Sequence, residues 1–172
     1  MQHFTRKAAA RIGAVILILV LALSATSALA AASFSKSHAG IKYGGQTFKI
    51  GSATTPKKLK KAFGSYKRYM DDGCTCGYAT YLYKFSKKNL TIETLQKKKG
   101  GSEKIITITC TDKSVPTVDG LKVGNKMSAF GRKLGTKVQQ SGSTYRYVNG
   151  KYYLYLKTKN KTVTQIRFIL DL

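Results

Sequence analysis

Three cysteines, seven acidic residues, two histidines and 11 tyrosines are the side chains of this 172-residue chain that could do chemistry. The cysteines bound the redox and metal options. Cys74 and Cys76 are nearly adjacent, and Cys110 stands far along the chain. Three thiols leave one over when a pair forms. Cys110 falls on the apolar face of a predicted strand, and Cys74 and Cys76 precede the first strand of the same unit. A disulfide between Cys76 and Cys110 is the first expectation, with Cys74–Cys110 the alternative. Either would contribute roughly 3–4 kcal/mol by closing a loop of the unfolded chain. A structural metal takes about four ligands, commonly Cys or His. His38 is the one histidine beyond the first 30 residues. No metal is expected, and no placed base accompanies a thiol nucleophile.

Acid–base catalysis has as little to work with. The acids are Asp71, Asp72, Glu93, Glu103, Asp112, Asp119 and Asp171. Asp71 and Asp72 are adjacent in a Gly-rich turn, and neighbours in a strand point apart. They read as turn or solvated residues, Asp119-Gly120 reads as a turn, and His38 belongs to an exposed leader. Gly51/Gly64 and Gly124/Gly135 match neither phosphate-loop nor dinucleotide spacing and read as helix boundaries. No catalytic residue and no cofactor are expected, so the chain reads as a non-enzymatic binding module.

Binding chemistry is richer. Tyr81 and Tyr83 share one face of a predicted strand, and so do Tyr145 and Tyr147, and Tyr153 and Tyr155. Lys84, Arg146, Lys151 and Lys157 interleave with them. Tyrosines at such spacing line a core with their hydroxyls at its edge, or they form an exposed platform that anchors an interface. Two lysine clusters add charge. Lys57, Lys58, Lys60 and Lys61 coat a predicted helix, and Lys97, Lys98 and Lys99 fill a turn suited to polyanion contact. The candidate binding residues are Tyr81, Tyr83, Tyr153, Tyr155, Lys97, Lys98 and Lys99.

The whole chain carries +24 at pH 7. Such charge keeps a protein soluble and attracts polyanions such as teichoic acid, anionic lipid headgroups, glycans or nucleic acid. Residues 1–30 read as a secretory signal peptide: Arg6, Lys7 and Arg11, then the apolar run 12–23, then the small-residue cleavage site Ala28-Leu29-Ala30. No later run is apolar and long enough to span a membrane. The expected protein is therefore secreted, extracellular or associated with the cell envelope.

Positioning follows from pattern. Residues 31–39 form a small, polar leader. Two units follow, 40–117 and 118–172, with residues 105–124 as the boundary between them. In the first unit 41–50 reads as a short strand. Thr55 and Pro56 open a helix whose apolar face is Leu59, Ala62 and Phe63, and Gly64 stops it. Strands are predicted at 78–85, 89–95 and 104–111, the last with Ile106, Ile108 and Cys110 on its apolar face. The second unit repeats this order. Leu121-Lys122-Val123-Gly124 answers Phe48-Lys49-Ile50-Gly51, and Met127, Phe130 and Leu134 mark a helix that Gly135 stops. Strands follow at 144–148, 152–157 and 162–170, with a hairpin signal at Asn149-Gly150. The fold class expected is α+β: two tandem units, each a short helix packed on an antiparallel sheet of about three to four strands. One face of such a sheet meets helices and the other can face solvent.

Cys76-Gly77, Tyr81-Leu82-Tyr83, Ile105-Ile106-Thr107-Ile108, Ser114-Val115-Pro116-Thr117, Asp119 to Gly124 and Leu134-Gly135 resemble a family of secreted proteins and lipoproteins of Gram-positive bacteria. The tandem plan is also similar to β-lactamase inhibitory protein and the SmpA/OmlA lipoproteins. That resemblance implies a sheet face that grips a target. This chain differs in its strong basic charge and in having no cysteine after the signal for a lipid anchor. The function expected is binding of an extracellular protein through an open Tyr/Lys-rich sheet face, with an anionic envelope polymer as the alternative partner.

Overall fold

The computed structural model describes residues 33–71, 78–97 and 100–172. The signal peptide expected at 1–30 lies outside the described residues. The chain enters through a hairpin, β1 (Gly40–Tyr43) and β2 (Gln46–Lys49), which turns at Gly44-Gly45 with φ of 54° and 73°. Two consecutive positive φ values make the tight turn that matches strand twist, and glycine adopts them without strain. The single strand expected at 41–50 is therefore two. β3 (Ala53–Thr54) leads into α1 (Pro56–Phe63). Thr55 caps that helix, its hydroxyl accepting from the Lys58 N–H at 3.2 Å, and Gly64 ends it at a φ of 87°.

A meander follows: β4 (Lys67–Asp71), β5 (Ala79–Phe85), β6 (Leu90–Gln96) and β7 (Glu103–Cys110). α2 (Met127–Leu134) then precedes a second meander, β8 (Gln139–Ser141), β9 (Thr144–Asn149), β10 (Tyr152–Lys159) and β11 (Thr162–Leu170). α2 has no side-chain cap. The Met127 N–H instead donates to the Lys161 carbonyl at 2.9 Å, so the β10–β11 turn satisfies the helix start. That turn places Asn160 and Lys161 at φ of 50° and 58°. At the β9–β10 turn Gly150 carries the positive φ, and Asn149 stays in its strand.

The expectation of two helix-on-sheet units is corrected by one finding. β7 and β11 hydrogen-bond to each other, with Ile108 opposite Phe168 and Cys110 opposite Ile166. The strands of the two meanders therefore form one antiparallel sheet, ordered β4-β5-β6-β7-β11-β10-β9-β8, with β3 beside β7 as its ninth strand, and β1 and β2 form a separate two-stranded sheet. The physical reason is the character of these two strands. Each would be a long apolar edge if its meander stood alone, and pairing satisfies both backbones while joining the apolar faces. The result is a sheet-dominated domain with one continuous core, to which α1 gives Leu59 and Phe63 and α2 gives Phe130 and Leu134.

Two local differences matter. A bulge opposite Glu93 and Thr94 leaves Ile106 out of register, so Ile105 takes the core position that period-two reading gives to Ile106. Residues 33–39 of the expected leader are folded onto the domain. Phe34 is buried with its ring 6.2 Å from that of Tyr147, and a short turn at Lys36–His38 brings in the buried Ala39.

Candidate binding face

Cross-strand partners point to the same side of a pleated sheet, so register sorts the side chains into two faces. On the covered face one row reads Arg68, Tyr83, Ile92, Ile108, Phe168, Leu154 and Tyr147 from β4 to β9. All but Arg68 are buried. Phe63 of α1 packs 5.2 Å from Phe85 on this side, centroid to centroid.

The opposite face carries two other rows. The first reads Lys67, Lys84, Thr91, Thr109, Arg167, Tyr155, Arg146 and Gln139, one residue from each of the eight strands of the main path. At about 4.8 Å per strand it spans about 34 Å. The second reads Tyr69, Leu82, Glu93, Thr107, Ile169, Tyr153 and Val148. In these rows Lys67, Lys84, Arg167 and Gln139 are exposed, Tyr69 is 48% exposed and Val148 is 41% exposed. Thr107 is buried between the larger Glu93 and Ile169. One face is thus a core wall, and the other presents cations, hydroxyls and half-exposed rings.

Side chains cluster most closely over β9–β11. The rings of Tyr153 and Tyr155 stack at 6.4 Å with 15° between their planes. The Arg146 guanidinium lies 4.9 Å from the Tyr153 ring centre and 6.0 Å from that of Tyr155, close enough for cation–π attraction. Register places Tyr155 between Arg146 and Arg167. The ion pairs among the described residues are Arg68–Glu103 and His38–Asp119, so neither Arg146 nor Arg167 is neutralised by a carboxylate. At the other end of the face, Lys84 sits 4.9 Å from the ring centre of Tyr69. Tyr69, Met70, Thr80, Leu82 and Glu93 there line a shallow depression of about 280 Å³.

The tyrosines expected to act together are divided. Tyr153 and Tyr155 are half-buried on the open face, whereas Tyr81 and Tyr83 lie on the covered one and are buried. Tyr83 donates to the Glu103 carboxylate at 2.7–2.8 Å, and Tyr81 donates to the Gln96 Oε1 at 3.0 Å. Burial first, and the bond to Glu103 second, push the Tyr83 phenol well above its ordinary pKa. These two are core tyrosines whose hydroxyls the fold satisfies, so the open platform excludes them. Of the lysine cluster, Lys97 is exposed where the β6–β7 connection begins, and Lys98 and Lys99 lie outside the described residues.

The expected Cys76–Cys110 disulfide, with Cys74–Cys110 as the alternative, has one end within the described residues. Cys110 is a free, buried thiol, and burial pushes its pKa up to about 11. It ends β7 opposite Leu90, which pairs with Phe85. The segment holding Cys74 and Cys76 lies outside the described residues.

Arg167, Tyr69 and Ile169 belong to the open face and were not singled out by sequence. Alternation in 162–170 puts Arg167 and Ile169 opposite Ile166, Phe168 and Leu170, whereas β4, which holds Tyr69, has no apolar period to read. Their position beside Thr109, Lys84 and Tyr153 depends on strand order, which alternation does not encode. No three His, Cys, Asp or Glu side chains among the described residues could hold a metal together. No helix among them is long and apolar enough to cross a membrane. No protein-family model, curated protein or solved structure matches this chain.

Proposed function

We propose that this protein is an exported, non-enzymatic binding module that grips a macromolecular partner with its open sheet face. The observation that carries the reading is the row from Lys67 to Gln139, with four cations, one tyrosine and no acid across eight strands. Half-exposed rings beside unneutralised guanidiniums supply contact area and charge together.

The composition of this row sharpens the choice of partner. A protein with an acidic surface fits the face. A linear anionic polymer fits it better, because the positive charges are strung along one line instead of gathered in a patch. Binding of acidic envelope and extracellular material should weaken steeply between low and high salt, as counterion release requires. Arg146→Ala with Arg167→Ala should weaken binding at low salt and flatten that dependence. Equal binding by this double variant and the natural protein would refute the assignment to this face.

A further inference from the structure

We infer that the cluster of Arg146, Tyr153, Tyr155 and Arg167 is a site for single-stranded nucleic acid. This rests on the reading of the open face as an anion-binding surface and names the partner that this part of it fits. Three features converge. Every base has a π-face, and tyrosine rings or guanidinium planes exposed on a sheet are surfaces on which unpaired bases stack. Tyr153 and Tyr155 supply two rings and Arg146 a plane against both. Phosphate oxygens need donors, and the guanidiniums of Arg146 and Arg167 flank Tyr155 without a carboxylate to occupy them.

Spacing separates a single strand from a duplex. The two ring centres are 6.4 Å apart. Successive bases of B-form DNA rise about 3.4 Å and stack on one another. Bases resting on both rings must be splayed apart, which an unpaired strand allows and a duplex resists. The neighbouring row extends the site. Thr109, Thr91, Lys84 and Lys67 continue from Arg167 across four more strands and offer hydroxyls and ammonium groups to a backbone running over the sheet. An anionic glycan would use the same cations but has no flat aromatic face for the rings.

Fluorescence anisotropy with the purified protein tests this, using a short labelled DNA strand, the same sequence as duplex, and heparin as a polyanion without bases. The expected result is tighter binding of the single strand than of the duplex or of heparin at equal charge. Tyr153→Ala and Tyr155→Ala should each weaken single-strand binding roughly tenfold and leave heparin nearly unchanged. Tyr153→Phe and Tyr155→Phe keep the stacking surface and should bind as the natural protein does, which separates lost stacking from lost folding. Arg146→Ala with Arg167→Ala should weaken all three ligands and reduce the salt slope by about two. Equal affinity for heparin and the single strand, or no loss in the Tyr→Ala variants, overturns the inference and leaves the anion-binding face standing. Binding of none of these ligands overturns both.

Discussion

The molecule contains the same three side chains twice, on opposite faces. Arg68 lies over Tyr81 and Tyr83, its guanidinium carbon 3.7 Å and 5.4 Å from their ring centres. Arg146 lies over Tyr153 and Tyr155 at 4.9 Å and 6.0 Å. In each cluster the arginine stands on one strand and the tyrosines occupy alternate positions of the next. The fates differ because the surroundings differ. Arg68 donates to Glu103 at 2.8 Å, and that buried carboxylate also accepts from Tyr83 and from Thr94 at 2.6 Å. Arg146 has no acid to meet. The first cluster uses its polar groups on itself and helps to close the core, while in the second the Tyr153 hydroxyl reaches Asp171 at 3.5 Å and the Arg146 guanidinium is left without a carboxylate. An Arg–Tyr–Tyr cluster becomes a binding site here because nothing inside the fold claims its charge.

Glu103→Ala is expected to separate the two clusters most strongly. It leaves the Tyr83 and Thr94 hydroxyls buried without their acceptor and takes the partner from Arg68. Urea unfolding should show a loss of about 3 kcal/mol, with binding unchanged below the transition. Alkaline pH should act on the covered face next. Folded Cys110 keeps its proton up to about pH 11, whereas an exposed thiol ionises near 9.0. Between these values the folded state binds more protons than the unfolded one, so stability falls as pH rises, by about 1.4 kcal/mol per unit. Tyr83 and Tyr147, both raised by burial, add to the same trend. Unfolding midpoints measured from pH 8 to 11 would show it, and Cys110→Ser should lessen the slope.

Tyr83→Phe keeps the ring and removes the hydroxyl that Glu103 accepts from, at an expected cost of about 1–1.5 kcal/mol in urea. Tyr155→Phe is the matched change on the open face. No internal hydrogen bond of that hydroxyl is at stake, so the expected shift is below about 0.5 kcal/mol. Similar losses at both positions would erase the distinction between the clusters.

Much of this was legible in the chain, for local reasons. Thr55, Pro56 and Gly64 announce the first helix because capping and φ preference are properties of single residues. The strands expected from 78–85 to 162–170 follow from alternation, as 162–170 shows with Ile166, Phe168 and Leu170, whereas the short, exposed β8 carries no apolar residue and was not expected. β4 escaped because Lys67-Arg68-Tyr69-Met70-Asp71 has no apolar period; it is an edge strand whose pairing comes from β5. The hairpin at Gly44-Gly45 was missed because 41–50 reads as one loose alternation. Which tyrosine pair would be buried was not legible either. Both lie in strands with apolar residues on both sides: Leu82 alternates with Tyr81 and Tyr83, as Leu154 and Leu156 do with Tyr153 and Tyr155. The choice is made by Glu103 and Tyr66, which tertiary packing brings against Tyr83. The merging of the two meanders depends on β7 meeting β11, a contact between distant segments that no local pattern encodes.

The most direct test of the account follows the arginine side-chain Nε–H signals by NMR while a short DNA strand or heparin is added. Arg146 and Arg167 should shift with saturating titration curves while Arg68, held by Glu103, stays in place. Shifts confined to Arg68, or to the backbone of the helix lysines 57–61 with Arg146 and Arg167 unmoved, would contradict it.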